Sequence, residues 1–210
     1  MKIVLSSNNK NKLREMKALL LPLSPLMPGG IELLSLSDIG FSGDIEENGS
    51  SFEENAKIKA SVPASLGYYG IADDSGLEVD ALGGAPGIYS ARYSGGHGDS
   101  RANNEKLLRE IDSVPDDQRG ARFVSALSMV APEGGDSAFT FTVRGECSGK
   151  ILRGYRGDGG FGYDPLFLYE PLGKTFAELS DDEKNSVSHR AEAFRRFSEE
   201  LKKRIQSIQR

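Results

Sequence analysis

The stretch from Ile71 to Gly95, IADDSGLEVDALGGAPGIYSARYSG, constrains this chain more than any other segment. An apolar lead-in, Tyr69-Gly70-Ile71-Ala72, runs into two adjacent carboxylates, Asp73 and Asp74, with Ser75 and Gly76 directly behind them. Gly83, Gly84, Pro86 and Gly87 follow. The lead-in predicts a short buried strand ending at Asp73, because Asp, Ser and Gly are turn formers. A second short strand is predicted over Leu77 to Val79. Carboxylates at a strand end beside a Gly-rich bend suit two kinds of ligand. Oxygen ligands hold hard cations such as Mg2+, and bare backbone N–H groups hold anions. An ordinary acidic turn fits the same four residues equally well. Consecutive strand residues point to opposite faces, so only one of Asp73 and Asp74 can face a given site.

The chain has 210 residues, enough for one large domain or one domain with two lobes. Its net charge of −5 argues against a broad electrostatic affinity for nucleic acid. Any anionic ligand therefore needs a local basic cluster or a metal ion. A single cysteine, Cys147, excludes an intrachain disulfide and a cysteine-based zinc site. It sits in an alternating segment and reads as a packing residue in a reducing compartment. No apolar run reaches membrane-spanning length, and Lys2-Ile3-Val4-Leu5 is too short for a signal peptide. A cytosolic protein with no membrane partner is expected.

Helical spacing of Leu13, Met16, Leu19 and Leu20 predicts a helix over Asn11–Leu21, stopped by Pro22, Pro25 and Pro28. Strands are predicted at Lys2–Ser6 and Ile31–Leu36, and a polar acidic loop over Gly40–Ser51. Further helices are predicted over Phe52–Ala64 and Asp99–Ile111, the latter with Asp99 or Ser100 as N-cap. Ala121–Ala131 and Ala138–Glu146 read as strands of a hairpin, which makes the sheet mixed. Ser180 and Glu183 have capping-box spacing. The last helix begins near Ser188, with Phe194, Phe197, Leu201, Ile205 and Ile208 on one stripe.

Four clusters can carry chemistry. Ser7-Asn8-Asn9-Lys10-Asn11-Lys12 joins the first strand to the first helix, where free N–H groups face any anion. A lysine in a first helical turn opposes the helix dipole unless an anion is present. The second cluster is the acidic set Glu46, Glu47, Glu53, Glu54, Asp73 and Asp74, of which Mg2+ needs one or two. The third is Gly159-Gly160-Phe161-Gly162-Tyr163-Asp164-Pro165, where Phe161 or Tyr163 can stack on a flat ring. The fourth is Lys184 with Ser188-His189-Arg190, at the opening of the last helix. Two distant histidines and one cysteine give little support to a zinc site or a Cys–His dyad.

Taken in order, five segments resemble the inosine triphosphate pyrophosphatase family. They are SSNNKNK near the start, FEENAKIKA at 52–60, ADDSGLEVDALGGAPGIYSARYSG at 72–95, GGFGYDPLF at 159–167 and EKNSVSHRAEAF at 183–194. The resemblance spans nearly the whole chain. One departure is Asn8, which stands where the family commonly has glycine.

The resemblance implies one α/β domain over residues 1–210, with a mixed curved central sheet flanked by helices and two lobes with a nucleotide cleft between them. It implies that Ser7, Asn8, Asn9, Lys10, Asn11 and Lys12 contact a triphosphate. Asp74 would be catalytic and Ser75 a substrate contact. Phe161, Gly162, Tyr163 and Asp164 would shape the base and sugar pocket, completed by Lys184, His189 and Arg190. Asp74 and Glu46 would hold Mg2+, with Glu47 or Glu54 as substitutes for Glu46. A homodimer is implied, with a small-molecule nucleotide as the only other partner.

The implied reaction is Mg2+-dependent hydrolysis of non-canonical purine nucleoside triphosphates (ITP, dITP, XTP) to the monophosphate and pyrophosphate. Asp74 would serve as base or act through a metal-bound water. Hypoxanthine and xanthine present a 6-keto acceptor, which a donor such as Arg190 or an N–H near His189 would read, leaving adenine mismatched. Three other readings fit less of the chain: a pyrophosphatase of the related Maf-like group, a nucleotide sensor without turnover, and a structural domain with solvated acidic loops.

Overall fold

The computed structural model describes residues 1–7, 10–27, 29–96 and 98–208, the side chains of Lys10, Asn11, Lys12, Glu15 and Ile208 excepted. The chain order is β1 (Lys2–Leu5), α1 (Lys10–Leu20), β2 (Glu32–Ser35), α2 (Phe52–Ser65), β3 (Tyr69–Val79), α3 (Ser100–Glu110), β4 (Gly120–Val130), β5 (Phe141–Ile151), β6 (Phe167–Tyr169), β7 (Lys174–Thr175), α4 (Asp181–Val187) and α5 (His189–Ile208). The strands form one seven-stranded sheet in the order β2-β1-β3-β4-β5-β6-β7. β1 runs parallel to β2 and β3, while β6 runs antiparallel to β5 and β7, so the sheet is mixed as expected.

The chain divides into two compact units. The first comprises Met1–Asp74, Ala126–Arg144 and Ala193–Arg210. Its core joins Ile3, Leu5, Ile71 and Leu127 of the strands to Met16 and Leu20 of α1 and Phe197, Leu201 and Ile205 of α5. Phe197, Leu201 and Ile205 of the stripe read from the sequence are thus buried on α5, Phe194 is partly buried beside them, and the side chain of Ile208 lies outside the described residues. The second unit comprises Ser75–Ser125 and Gly145–Glu192. Its core is built on Leu77, Leu107, Ile111, Phe123, Phe167 and Phe176.

Several elements follow local chemistry. Pro22 and Pro25 convert the end of α1 into a 3-10 turn over Leu21–Leu26. Asp99 caps α3 by accepting from Ala102 N–H at 2.9 Å. Ser180 and Glu183 form the reciprocal capping box that opens α4. Among the described residues no helix is long and apolar enough to cross a membrane.

One expectation is corrected. Tyr69–Val79 is a single strand of 11 residues, and DDSG lies in its middle instead of ending it. β3 has β1 on one side and β4 on the other. β1 pairs only with Tyr69–Ile71 of β3, and the strand continues past that ladder through residues whose local preference is for turns. The turn begins only after Val79, with a 3-10 turn over Asp80–Leu82 and Gly83 at φ +61°.

Candidate active site

In the first unit the key geometry starts with the docking of α2 on β3. Gly70 lies so close to α2 that a Cβ there would meet the Ala60 carbonyl oxygen at 1.8 Å. The Ser6 hydroxyl donates to the Lys59 carbonyl at 2.7 Å, and the Ser6 N–H donates to the Ile71 carbonyl at 2.7 Å. One serine therefore ties the helix and the strand to the end of β1. With its backbone held this way, Lys59 sends its ammonium to Asp74, donating to Oδ1 at 2.6 Å. Glu47 Oε2 lies 3.4 Å from the same nitrogen. The Lys59 and Asp74 side chains are each only 12% exposed.

The acidic loop reaches this point because its end is fastened to the first turn of α2. Gly49 N–H donates to Asn55 Oδ1 at 2.8 Å, and Ser50 N–H donates to Glu54 at 2.7 Å. Burial pushes the Asp74 carboxyl up, to about 6. The Lys59 ammonium opposes that rise, and the negative charges of Glu47 and Asp73 add to it. Asp74 is thus an ionisable group whose charge is held in a largely dry environment.

The other acidic residues divide by what they touch. Glu54 is held by the Ser50 N–H and hydroxyl, which keep its carboxyl below the usual range. Glu53 pairs with Arg144 at 3.1 Å. Glu46 is exposed, and it is its neighbour Glu47 that shares Lys59 with Asp74. Both Asp73 and Asp74 are buried. Lys59 was not singled out from the sequence as a site residue. A signal existed: it lies seven residues after Phe52 and three after Ala56, on the buried face of α2, where a lysine is out of place.

Of the first-turn cluster, Ser7 donates its N–H to the Leu5 carbonyl at 2.8 Å. Lys10 begins α1, and no acidic residue occupies its first turn. Asn8 and Asn9 lie outside the described residues, as do the side chains of Lys10, Asn11 and Lys12.

In the second unit the Gly-rich aromatic segment is built around Asp164. Its buried carboxylate, 2% exposed, accepts from Phe161 N–H at 2.8 Å and from the Lys184 ammonium at 2.5 Å. Gly160, at φ +72°, is required here, since a Cβ would strike Asp164 Oδ2 at 2.2 Å. Asn104 of α3 donates to the Gly162 carbonyl at 2.9 Å. The loop thereby holds Phe161 out, 64% exposed. The Lys184 ammonium lies 4.8 Å and the Arg190 guanidinium 5.4 Å from its ring centroid. Arg190 also reaches the Ser75 hydroxyl at 3.3 Å. Phe161, Asp164, Lys184, Arg190 and Ser75 are therefore brought together.

Two expected residues face the core instead. Tyr163 is buried and donates its hydroxyl to the Ser90 carbonyl at 2.9 Å, so Phe161 and not Tyr163 is the available ring. His189 is buried and stacks on Phe123, with centroids 4.9 Å apart. It opens α5 and so positions the neighbouring Arg190.

A profile of the Ham1 family matches residues 3–200. The chain belongs to the Ham1 family. Among its relatives, a dITP/XTP pyrophosphatase of Bacillus licheniformis is 47% identical over 93% of this chain and 95% of its own length. A dITP/XTP pyrophosphatase of Bacillus subtilis is 45% identical over 94% and 96%. The solved Ham1 protein of Staphylococcus aureus is 40% identical and superposes with a TM-score of 0.86, covering 96% of this chain and 98% of that one.

Proposed function

We propose that this chain is a nucleoside triphosphate pyrophosphatase that cleaves non-canonical purine nucleotides, ITP, dITP and XTP, between the α and β phosphates. The observation that carries the reading is the Lys59–Asp74–Glu47 cluster, with its contacts of 2.6 and 3.4 Å, inside a member of the Ham1 family. The dITP/XTP pyrophosphatases at 42–48% identity supply the substrate class.

Mg2+ is part of this proposal, and the residues fit it. Asp74 and Glu47 already share one cation, the Lys59 ammonium, through oxygen atoms alone. Hard cations favour such donors, and Mg2+ takes only one or two protein carboxylates. Among the described residues no group of three or more His, Cys, Asp or Glu side chains could hold a metal ion. A metal here would complete its shell with phosphate oxygens and water. When bound, it neutralises charge that builds on the phosphates.

The chain's own residues do the rest. Asp74, whose carboxyl burial raises in the metal-free chain, is the group assigned to accept a proton from the attacking water. α1 begins at Lys10, and a helix N-terminus is where free N–H groups suit a phosphate; Lys10 and Lys12 add positive charge to that stretch of the sequence. Phe161, flanked by Lys184 and Arg190, offers a face to the purine ring. Arg190 is a donor suited to a 6-keto oxygen, which adenine lacks. The proposal extends to a cytoplasmic homodimer that clears such nucleotides from the pool.

The test is a panel of ITP, XTP, dITP, ATP, GTP and CTP, each with Mg2+, scored by kcat/KM. The 6-keto purines other than guanine should lead ATP by about 10⁴ or more. Equal rates for ATP and ITP would remove the assignment of base recognition.

A further inference from the structure

The Lys59 ammonium stands where a metal held by Asp74 and Glu47 would stand. We propose that Lys59 is a displaceable counter-ion: it satisfies these two carboxylates while no divalent cation is bound, and it leaves Asp74 when one binds. The inference rests on the preceding reading of Asp74 as a metal-holding carboxylate.

Three features carry it. First, the ammonium lies between both carboxylates, 2.6 Å from Asp74 Oδ1 and 3.4 Å from Glu47 Oε2. Second, the backbone of Lys59 is held from two sides, by the Ser6 hydroxyl on its carbonyl and by Gly70 against the Ala60 carbonyl. The helix cannot carry Lys59 away, so the four-carbon stem must do so, and that stem is flexible. Third, the pair is largely shielded from water, so an ammonium and a divalent ion on the same carboxylate repel with little screening. The two cations therefore compete for Asp74.

Two consequences follow. The free chain should bind divalent cations weakly, because each must displace an internal cation. An anion arriving with the metal offers the displaced ammonium a new partner, so metal and anion should strengthen each other reciprocally.

The test titrates Mn2+ calorimetrically into the wild-type chain, Lys59→Met, Lys59→Gln and Asp74→Asn, with and without pyrophosphate. Without pyrophosphate, both Lys59 variants should bind Mn2+ about tenfold or more tighter than wild type. Pyrophosphate should narrow that gap, and Asp74→Asn should lose the binding. Lys59→Gln keeps a hydrogen-bond donor toward Asp74, so it serves if Lys59→Met does not fold. A second readout is the 13C resonance of reductively dimethylated Lys59, assigned by its loss in Lys59→Gln, which should shift on adding Mg2+. Unchanged or weaker Mn2+ binding in both Lys59 variants, with loss in Asp74→Asn, would overturn the Lys59 role and leave the metal reading standing. Absence of Mn2+ binding in every form, even with pyrophosphate, would overturn both.

Discussion

Asp74 is a buried carboxyl group paired with the Lys59 ammonium. Burial raises its folded-state value to about 6, from 3.8 in a solvated chain. The protonated form is thus the one folding favours, and the stability it contributes is complete below about pH 4 and lost as pH rises through 6. Asn mimics that neutral form. Asp74→Asn should therefore melt at a higher temperature than wild type at pH 8, by up to about 3 kcal/mol in stability. The two proteins should converge near pH 4, and thermal melts across this range check the sign. A variant less stable at pH 8 than at pH 4, relative to wild type, would mean that Lys59 outweighs burial at this site. Phe161 offers the opposite case, an exposed ring with little role in the fold. Phe161→Ala should leave the melting temperature nearly unchanged and raise KM for ITP about tenfold or more, the usual worth of a stacked base. Steady-state kinetics with an unchanged KM would remove Phe161 as the platform. Asp74, Phe161, Asp164, Lys184 and Arg190 were all legible as residues, because each stands in a short segment of unusual composition. Tyr163 was not separable from Phe161 by composition. Only the fold turns one ring out and buries the other against Ser90.

At the scale of elements, the closeness of α2 and β3 does most to form the site. Its sequence mark is Gly70, which reads simply as part of an apolar lead-in until the helix is seen against it. Gly70→Ala should destabilise the chain by about 1–3 kcal/mol, as overpacking does, and lower kcat because Lys59 and Asp74 shift together. Urea unfolding measures the first effect. A variant as stable as wild type would show that the helix can retreat without loss. The helices were readable to within about two residues, since their caps and apolar stripes are local signals. β3 was not readable as one strand. Asp73-Asp74-Ser75-Gly76 has the local chemistry of a turn, yet it lies inside a strand of 11 residues in the middle of the sheet. Lys59 was missed for a related reason: its importance comes from a strand 15 residues further along the chain.

At the scale of the molecule, the chain keeps two hydrophobic cores and divides its polar work between two units. The first holds the carboxylate chemistry of Asp74, Lys59 and Glu47. The second holds the aromatic and cationic residues Phe161, Lys184 and Arg190. The mixed sheet was legible because the hairpin of β4 and β5 follows predicted helix–strand alternation. The division of residues between two units was not, because β3, β4 and β5 each pass through both. The most direct measurement of the account is the fate of ITP and Mg2+ followed by 31P NMR, with wild type beside Asp74→Asn. Wild type should give IMP and pyrophosphate as primary products, with turnover by Asp74→Asn reduced about a thousandfold or more. IDP and orthophosphate as primary products, or an Asp74→Asn rate within about tenfold of wild type, would contradict it.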